Sequence, residues 1–198
     1  MIPYGTFTFF LIAFIVLIPV IILGFLGKRS YIYNGISTAI MIVIIFASDK
    51  HNLLGQKYLS AQLFCFIIYV IWQVALIMYY YQSRQKKNTF TKFVTIMVLS
   101  ILPLAIVKIL QSSWLGGHQI HFHESKLIEF VGFLGISYVT FKSVQLIMEI
   151  RDGSIKEIKV GKLIQFISFF PTISSGPIDR YKRFVKDDKK VLSLSLIH

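Results

Sequence analysis

Four polar side chains recur at helical spacing within an otherwise apolar stretch around residue 140. Residues 131–150 read VGFLGISYVTFKSVQLIMEI, which predicts a helix long enough to cross a hydrocarbon core of about 30 Å. One face of that helix carries Tyr138, Lys142, Gln145 and Glu149. We call these four residues the polar stripe.

The polar stripe is not expected to face lipid. A cation in the middle of a span costs about 2.5 to 3.5 kcal/mol on insertion scales, so we expect Lys142 to point into a protein interior or a wet cavity. Two roles are open for the stripe. It can join helices through interior hydrogen bonds, or it can line a substrate path.

A second block of unusual residues interrupts the next apolar run, residues 163–178, which reads LIQFISFFPTISSGPI. Because proline and glycine break helices, this run predicts a helix that ends near Phe170. We expect irregular backbone to follow, which re-enters the membrane and returns to the side it left. Such backbone needs a surrounding bundle that satisfies its polar groups. The block comprises Pro171, Thr172, Ser175, Gly176, Pro177, Asp179 and Arg180, which either shape the bundle or contact substrate.

Two segments, FLGISYVTFKSVQLIMEIRDG and FFPTISSGPIDRYKRF, carry a family resemblance. They resemble the membrane-bound O-acyltransferase (MBOAT) family, and within it the branch that D-alanylates teichoic acids in Gram-positive bacteria. The likeness runs from the first apolar run to about Phe184 and corresponds to the amino-terminal half of such a protein. The resemblance implies that residues 1–184 form part of a single membrane domain and that residues 185–198 are a divergent or truncated tail.

The resemblance implies a donor, an acceptor and partners. A D-alanyl thioester on the phosphopantetheine arm of a cytoplasmic carrier protein would supply the acyl group, and lipoteichoic acid would receive it. Membrane lipid and other proteins of the D-alanylation pathway would be further partners. The family's membrane-embedded histidine lies in the second half of the protein. The resemblance therefore assigns no catalytic residue, bound cofactor or metal here, and we expect this chain alone to be inactive.

Composition independently predicts an all-α polytopic protein of the cell membrane. Hydrophobic residues make up 55% of the chain and charged residues only 15%, against about 25% in soluble domains. The formal net charge of +12 comes from basic residues in short loops between apolar runs. That distribution is an orientation signal of membrane proteins and does not form the continuous basic face that binds nucleic acid.

The apolar runs predict five spans and one re-entrant segment, with the amino terminus outside. The spans are residues 7–26, 31–47, 59–81, 93–110 and 131–150. Loops predicted inside hold ten Lys and Arg residues and loops predicted outside hold three, as the positive-inside rule requires. Re-entry of residues 163–178 would add the six basic residues that follow to the inside.

Other residues whose types could support binding or catalysis have simpler interpretations. His118, His121 and His123 have a spacing that could grip a metal, but they lie in a predicted external loop without a fixed scaffold, so we interpret them as solvated. Cys65 is interpreted as a small apolar residue. Lys108, near the outer end of its span, either snorkels to the interface or lines a path.

Two other functional classes remain open. A transporter or channel subunit would use the polar stripe of Lys142 to line an ion or solute path, although the five runs show no inverted repeat. A non-enzymatic membrane assembly protein is the other class.

Overall fold

The computed structural model describes residues 7–26, 31–47, 56–86, 89–111, 135–155, 157–172 and 179–187. Every regular element in these ranges is helical, which confirms the all-α prediction for the described residues. The α-helices are α1 Phe7–Phe25, α2 Tyr31–Ala47, α3 Gln56–Lys86, α4 Phe90–Gln111, α5 Ile136–Arg151, α6 Val160–Ser168 and α7 Tyr181–Asp187. A 3-10 turn, Phe170–Thr172, follows α6.

Within the part of the chain that the structure describes, two helices are long and apolar enough to cross a membrane. They are the 24 residues Leu63–Lys86 in α3 and the 20 residues Phe90–Ile109 in α4. The apolar parts of α1 and α2 are shorter, Phe10–Leu23 and Ile32–Ile44. The topology of five spans with an outside amino terminus therefore stays a prediction.

The chain divides into two compact units. The first comprises Met1–Leu59 and Val185–His198, and in it α1 packs against α2. The Ser37 hydroxyl donates a 3.4 Å hydrogen bond to the Val16 carbonyl oxygen. Large apolar side chains along α1 are exposed, and none of the α1 side chains that the structure describes is buried. An apolar surface of this extent indicates an apolar environment or a partner.

The second unit, Ser60–Phe184, contains most of the buried side chains. In it α4 packs along α5, and α6 packs against α5. Its most deeply buried apolar residues include Ile77, Val139, Leu146, Ile147, Leu163 and Ile167. Of the polar stripe, this packing buries Lys142.

Helix boundaries differ from the prediction in several helices. Helix α5 begins at Ile136, directly after Gly135 with φ 92°, and residues 131–134 of the predicted span lie outside the described residues. Sixteen residues of α5 reach about 24 Å, less than a hydrocarbon core of about 30 Å. Helix α3 extends beyond residues 59–81 at both ends, and α6 begins at Val160.

The predicted break near Phe170 is confirmed. Helix α6 ends at Ser168, and Phe169 has φ −55° and ψ 109°, which are not helical angles. The chain then makes the 3-10 turn that contains Pro171. Residues 173–178, with Ser175, Gly176 and Pro177, lie outside the described residues.

Candidate functional site

The structure places Lys142 at the centre of the site. Its side chain is 2% exposed, and its ammonium reaches out of α5 to two groups on the segment that follows. Nζ donates to the Phe166 carbonyl oxygen at 3.1 Å and to the Thr172 hydroxyl. Nζ also lies 5.5 Å from the centroid of the Phe166 ring, within cation–π range.

The two acceptors lie in the last turn of α6 and in the 3-10 turn that follows it. Phe166 carries one of the last four carbonyls of α6, which have no N–H partner further along the helix. This end of a helix also carries partial negative charge, so a cation is favourable there. The Thr172 hydroxyl in turn donates to the Phe169 carbonyl oxygen at 3.1 Å. Lys142 therefore caps α6 and holds the turn after it.

The segment beyond the break folds back on the end of α6 through aromatic contacts. The Phe166 ring lies 5.5 Å from that of Tyr181 and 5.4 Å from that of Phe184, centroid to centroid. The Phe169 and Phe184 rings lie 5.6 Å apart. These edge-on pairs bring the start of α7 beside the last turn of α6.

Asp179 and Arg180 begin that returning segment. The Asp179 carboxylate accepts a 2.8 Å hydrogen bond from the Arg180 backbone N–H and lies 3.8 Å from the Arg183 guanidinium. Asp179 therefore holds the first turn of this segment.

Glu149 lies two turns along α5 from Lys142, and Gln145 hydrogen bonds to its carboxylate. Its Oε2 atom is buried without a hydrogen-bond partner among the described residues. Tyr138, Gln145 and Glu149 are all half-buried.

A neutral hydrogen-bond network lies elsewhere in the same unit. The fully buried Gln73 side chain donates to the Tyr69 hydroxyl at 2.8 Å and to the Ser100 carbonyl oxygen at 3.0 Å. Its Oε1 accepts from the Ser100 hydroxyl at 2.7 Å. The Tyr69 and Thr140 hydroxyls are 2.6 Å apart. Three helices, α3, α4 and α5, are therefore tied together by side chains that the sequence analysis did not select.

A third cluster lies where α3 and α5 end and α4 begins. The Arg151 guanidinium carbon lies 4.4 Å from the Phe93 ring centroid and 5.6 Å from that of Phe90. The Arg84 side chain packs against Gly153, which has φ 75°. We call this cluster, with its neighbouring lysines, the basic end. It comprises Arg84, Lys86, Lys92, Arg151 and Lys159.

The remaining predicted residues take the following places. Pro171 and Arg180 are exposed, and Thr172 and Asp179 are half-buried. Lys108 is exposed and Cys65 is half-buried. The histidines His118, His121 and His123 lie outside the described residues, and within those residues no group of His, Cys, Asp and Glu could hold a metal.

Fold and site together define a class of protein: a helical membrane protein that keeps a lysine in its interior beside a broken helix. Comparison with known proteins is more specific. Over 191 residues, 96% of its length, the chain is 47% identical to the teichoic acid D-alanyltransferase of Bacillus subtilis (strain 168). The corresponding enzymes of Lacticaseibacillus rhamnosus and Streptococcus thermophilus are 41% and 32% identical, each over 96% of this chain. No family model matches.

Nearly all of this chain is thus related to teichoic acid D-alanyltransferases. The chain spans less than half the length of these relatives, between 41% and 45%.

Proposed function

We propose that this chain forms the amino-terminal part of a membrane O-acyltransferase that transfers D-alanine towards lipoteichoic acid in cell-wall biosynthesis. The observation that carries the proposal is 47% identity to a teichoic acid D-alanyltransferase across 96% of the chain. Since the relatives are about twice as long, we propose that the chain alone is inactive and that acyl transfer requires the remaining part of such a protein.

In this proposal the acyl group arrives as a thioester on the phosphopantetheine arm of a D-alanyl carrier protein. The basic end supports such a partner, because its cations are collected at one end of the second unit. Within the described residues, the only ion pair that involves one of them is Lys159 with Glu157, and both side chains are well exposed. A surface rich in cations attracts an acidic protein and speeds its association. We therefore propose that the carrier docks on the basic end, on the cytoplasmic side.

A chimera tests the proposed function. This chain replaces the matching part of the Bacillus subtilis teichoic acid D-alanyltransferase in a strain that lacks the native enzyme. We expect D-alanine esters on the teichoic acids to return, and the chain expressed alone to leave them at background. A chimera that accumulates folded in the membrane and leaves the esters at background would contradict the proposal. Solute flux through vesicles that contain it would then favour a transporter.

The carrier site has its own test within the chimera. Lys86→Glu together with Lys159→Glu reverses two exposed charges at the basic end, and we expect carrier affinity to fall by about tenfold or more at low salt. Lys108→Glu, an exposed change at the other end of α4, is the matched control and should leave affinity unchanged. Equal affinity for all three proteins would place the carrier elsewhere.

A further inference from the structure

We propose that Lys142 is a positioning residue that fastens the broken segment after α6 to α5, and that it acts through Phe166 and Thr172 without touching substrate. The consequence for acyl transfer rests on the proposed function. The fastening itself does not, because it follows from contacts within this chain.

The Lys142 ammonium hydrogen bonds to two different segments of the chain. The Phe166 carbonyl belongs to α6, whereas Thr172 belongs to the 3-10 turn beyond the helix break. The Thr172 hydroxyl in turn donates a hydrogen bond to the carbonyl oxygen of Phe169, which lies between α6 and the 3-10 turn. The backbone cannot straighten at the break without losing the hydrogen bonds from Lys142.

The far side of residues 173–178 is held by aromatic contacts. The rings of Tyr181 and Phe184 lie 5.5 and 5.4 Å from the Phe166 ring, centroid to centroid. Asp179 is kept in place by the Arg180 N–H at 2.8 Å. The segment is therefore fastened on both sides of residues 173–178, to α5 through Lys142 before them and to Phe166 of α6 after them.

Burying a lysine side chain at position 142 is energetically unfavourable. Burying a cation in a membrane interior is unfavourable, and a methionine would fill the volume of the lysine stem without that cost. What the methionine lacks is the directed donor that fixes the end of α6. The effect of losing the donor should therefore appear in the local order of this segment and in acyl transfer, more than in overall stability.

Thiol labelling measures the fastening directly. Ser168, the last residue of α6, is 8% exposed, and Ser168→Cys in a Cys65→Ala background leaves one thiol in the chain. In detergent micelles, we expect a small thiol reagent to label this cysteine about tenfold faster when Lys142→Met is added, the factor that corresponds to one lost hydrogen bond to a charged group. Ser154→Cys, which is exposed, should label equally fast with and without that change.

A matched pair at Thr172 shows whether Lys142 acts through this residue. Thr172→Val removes the hydroxyl at constant shape and should speed labelling of Ser168→Cys and lower D-alanylation by the chimera. Thr172→Ser keeps the hydroxyl and should change each less than about twofold. In Lys142→Met, adding Thr172→Val should cause little further loss, since both act through one contact.

Two results would overturn the inference. One is an unchanged labelling rate in Lys142→Met. The other is loss of D-alanylation in Lys142→Met with full activity in Thr172→Val, which would place the ammonium on substrate. A wild-type chimera without any D-alanylation would instead contradict the proposed function and leave the labelling result standing.

Discussion

The second unit buries polar side chains at two places that differ in charge and in the kind of connection they make. Around Gln73 a neutral amide exchanges hydrogen bonds with Tyr69 and Ser100, and every polar atom of its side chain has a partner. Around Lys142 a cation reaches from one helix to the end of another. The first site joins the bodies of three helices, and the second fixes a point where a helix stops.

This difference separates stability from positioning. The neutral network replaces hydrogen bonds with water by equivalent bonds within the protein, so it stabilises the packing at low cost. Burying Lys142 carries a penalty that its two hydrogen bonds partly offset. We therefore expect changes at Gln73 to act on unfolding, and changes at Lys142 to act on the arrangement of the segment after Ser168.

The largest expected effect is that of Lys142→Met on acyl transfer. Because this change leaves the Phe166 carbonyl and the Thr172 hydroxyl without their donor, the end of α6 is no longer fixed. A small misplacement of groups near a reacting centre can cost about a hundredfold in rate, so D-alanylation by the chimera should fall by about that factor. Normalising the esters to the amount of folded chimera is the necessary control.

Gln73→Leu should have the next largest effect, on stability. It leaves the Ser100 hydroxyl and carbonyl oxygen without their partner in the interior, at an expected cost of about 1–2 kcal/mol. Thermal unfolding in detergent measures this loss. Gln82→Leu, an exposed change on the same helix, should leave the midpoint unchanged. Equal shifts for the two variants would show that the network does not stabilise the packing.

Gly153→Ala extends the comparison to the basic end. Gly153 has φ 75°, and an added Cβ would lie 3.3 Å from an Arg84 guanidinium nitrogen. The guanidinium is the far end of a flexible side chain and can move, so the backbone angle sets the cost, about 1 kcal/mol. In contrast, Gly35→Ala lies in helix α2 with open space around it and should be neutral or stabilising in the same unfolding assay.

The smallest effect is expected in the first unit. The hydrogen bond from Ser37 to the Val16 carbonyl is long, 3.4 Å, and such bonds contribute little. Ser37→Ala should therefore shift unfolding by less than about 0.5 kcal/mol. A shift as large as that of Gln73→Leu would mean that α1 and α2 depend on polar contacts as strongly as the second unit does.

The sequence predicted the helices well because their apolar runs are long and are bounded by charges or by glycine and proline. The break near Phe170 followed from Pro171, and the polar stripe followed from the spacing on α5. The left-handed conformation of Gly135, in the middle of an apolar run and directly before α5, was not predicted. Hydropathy alone gives no signal for such an angle.

The partners of the candidate residues could not be predicted from the sequence. Lys142 appeared beside Gln145 and Glu149 on its own helix, whereas its donated hydrogen bonds go to residues 24 and 30 positions away. Gln73 was not selected in the sequence analysis. An informative signal was present in both cases, since a strongly polar side chain in an apolar run requires a partner.

The most direct measurement compares D-alanine esters per folded chimera with the unfolding midpoint for Lys142→Met and Gln73→Leu. We expect Lys142→Met to lose about a hundredfold in esters with little change in midpoint, and Gln73→Leu to lower the midpoint while retaining most of its esters. If both variants lost esters only in proportion to their loss of stability, Lys142 would be a packing residue and the distinction between the two sites would be wrong.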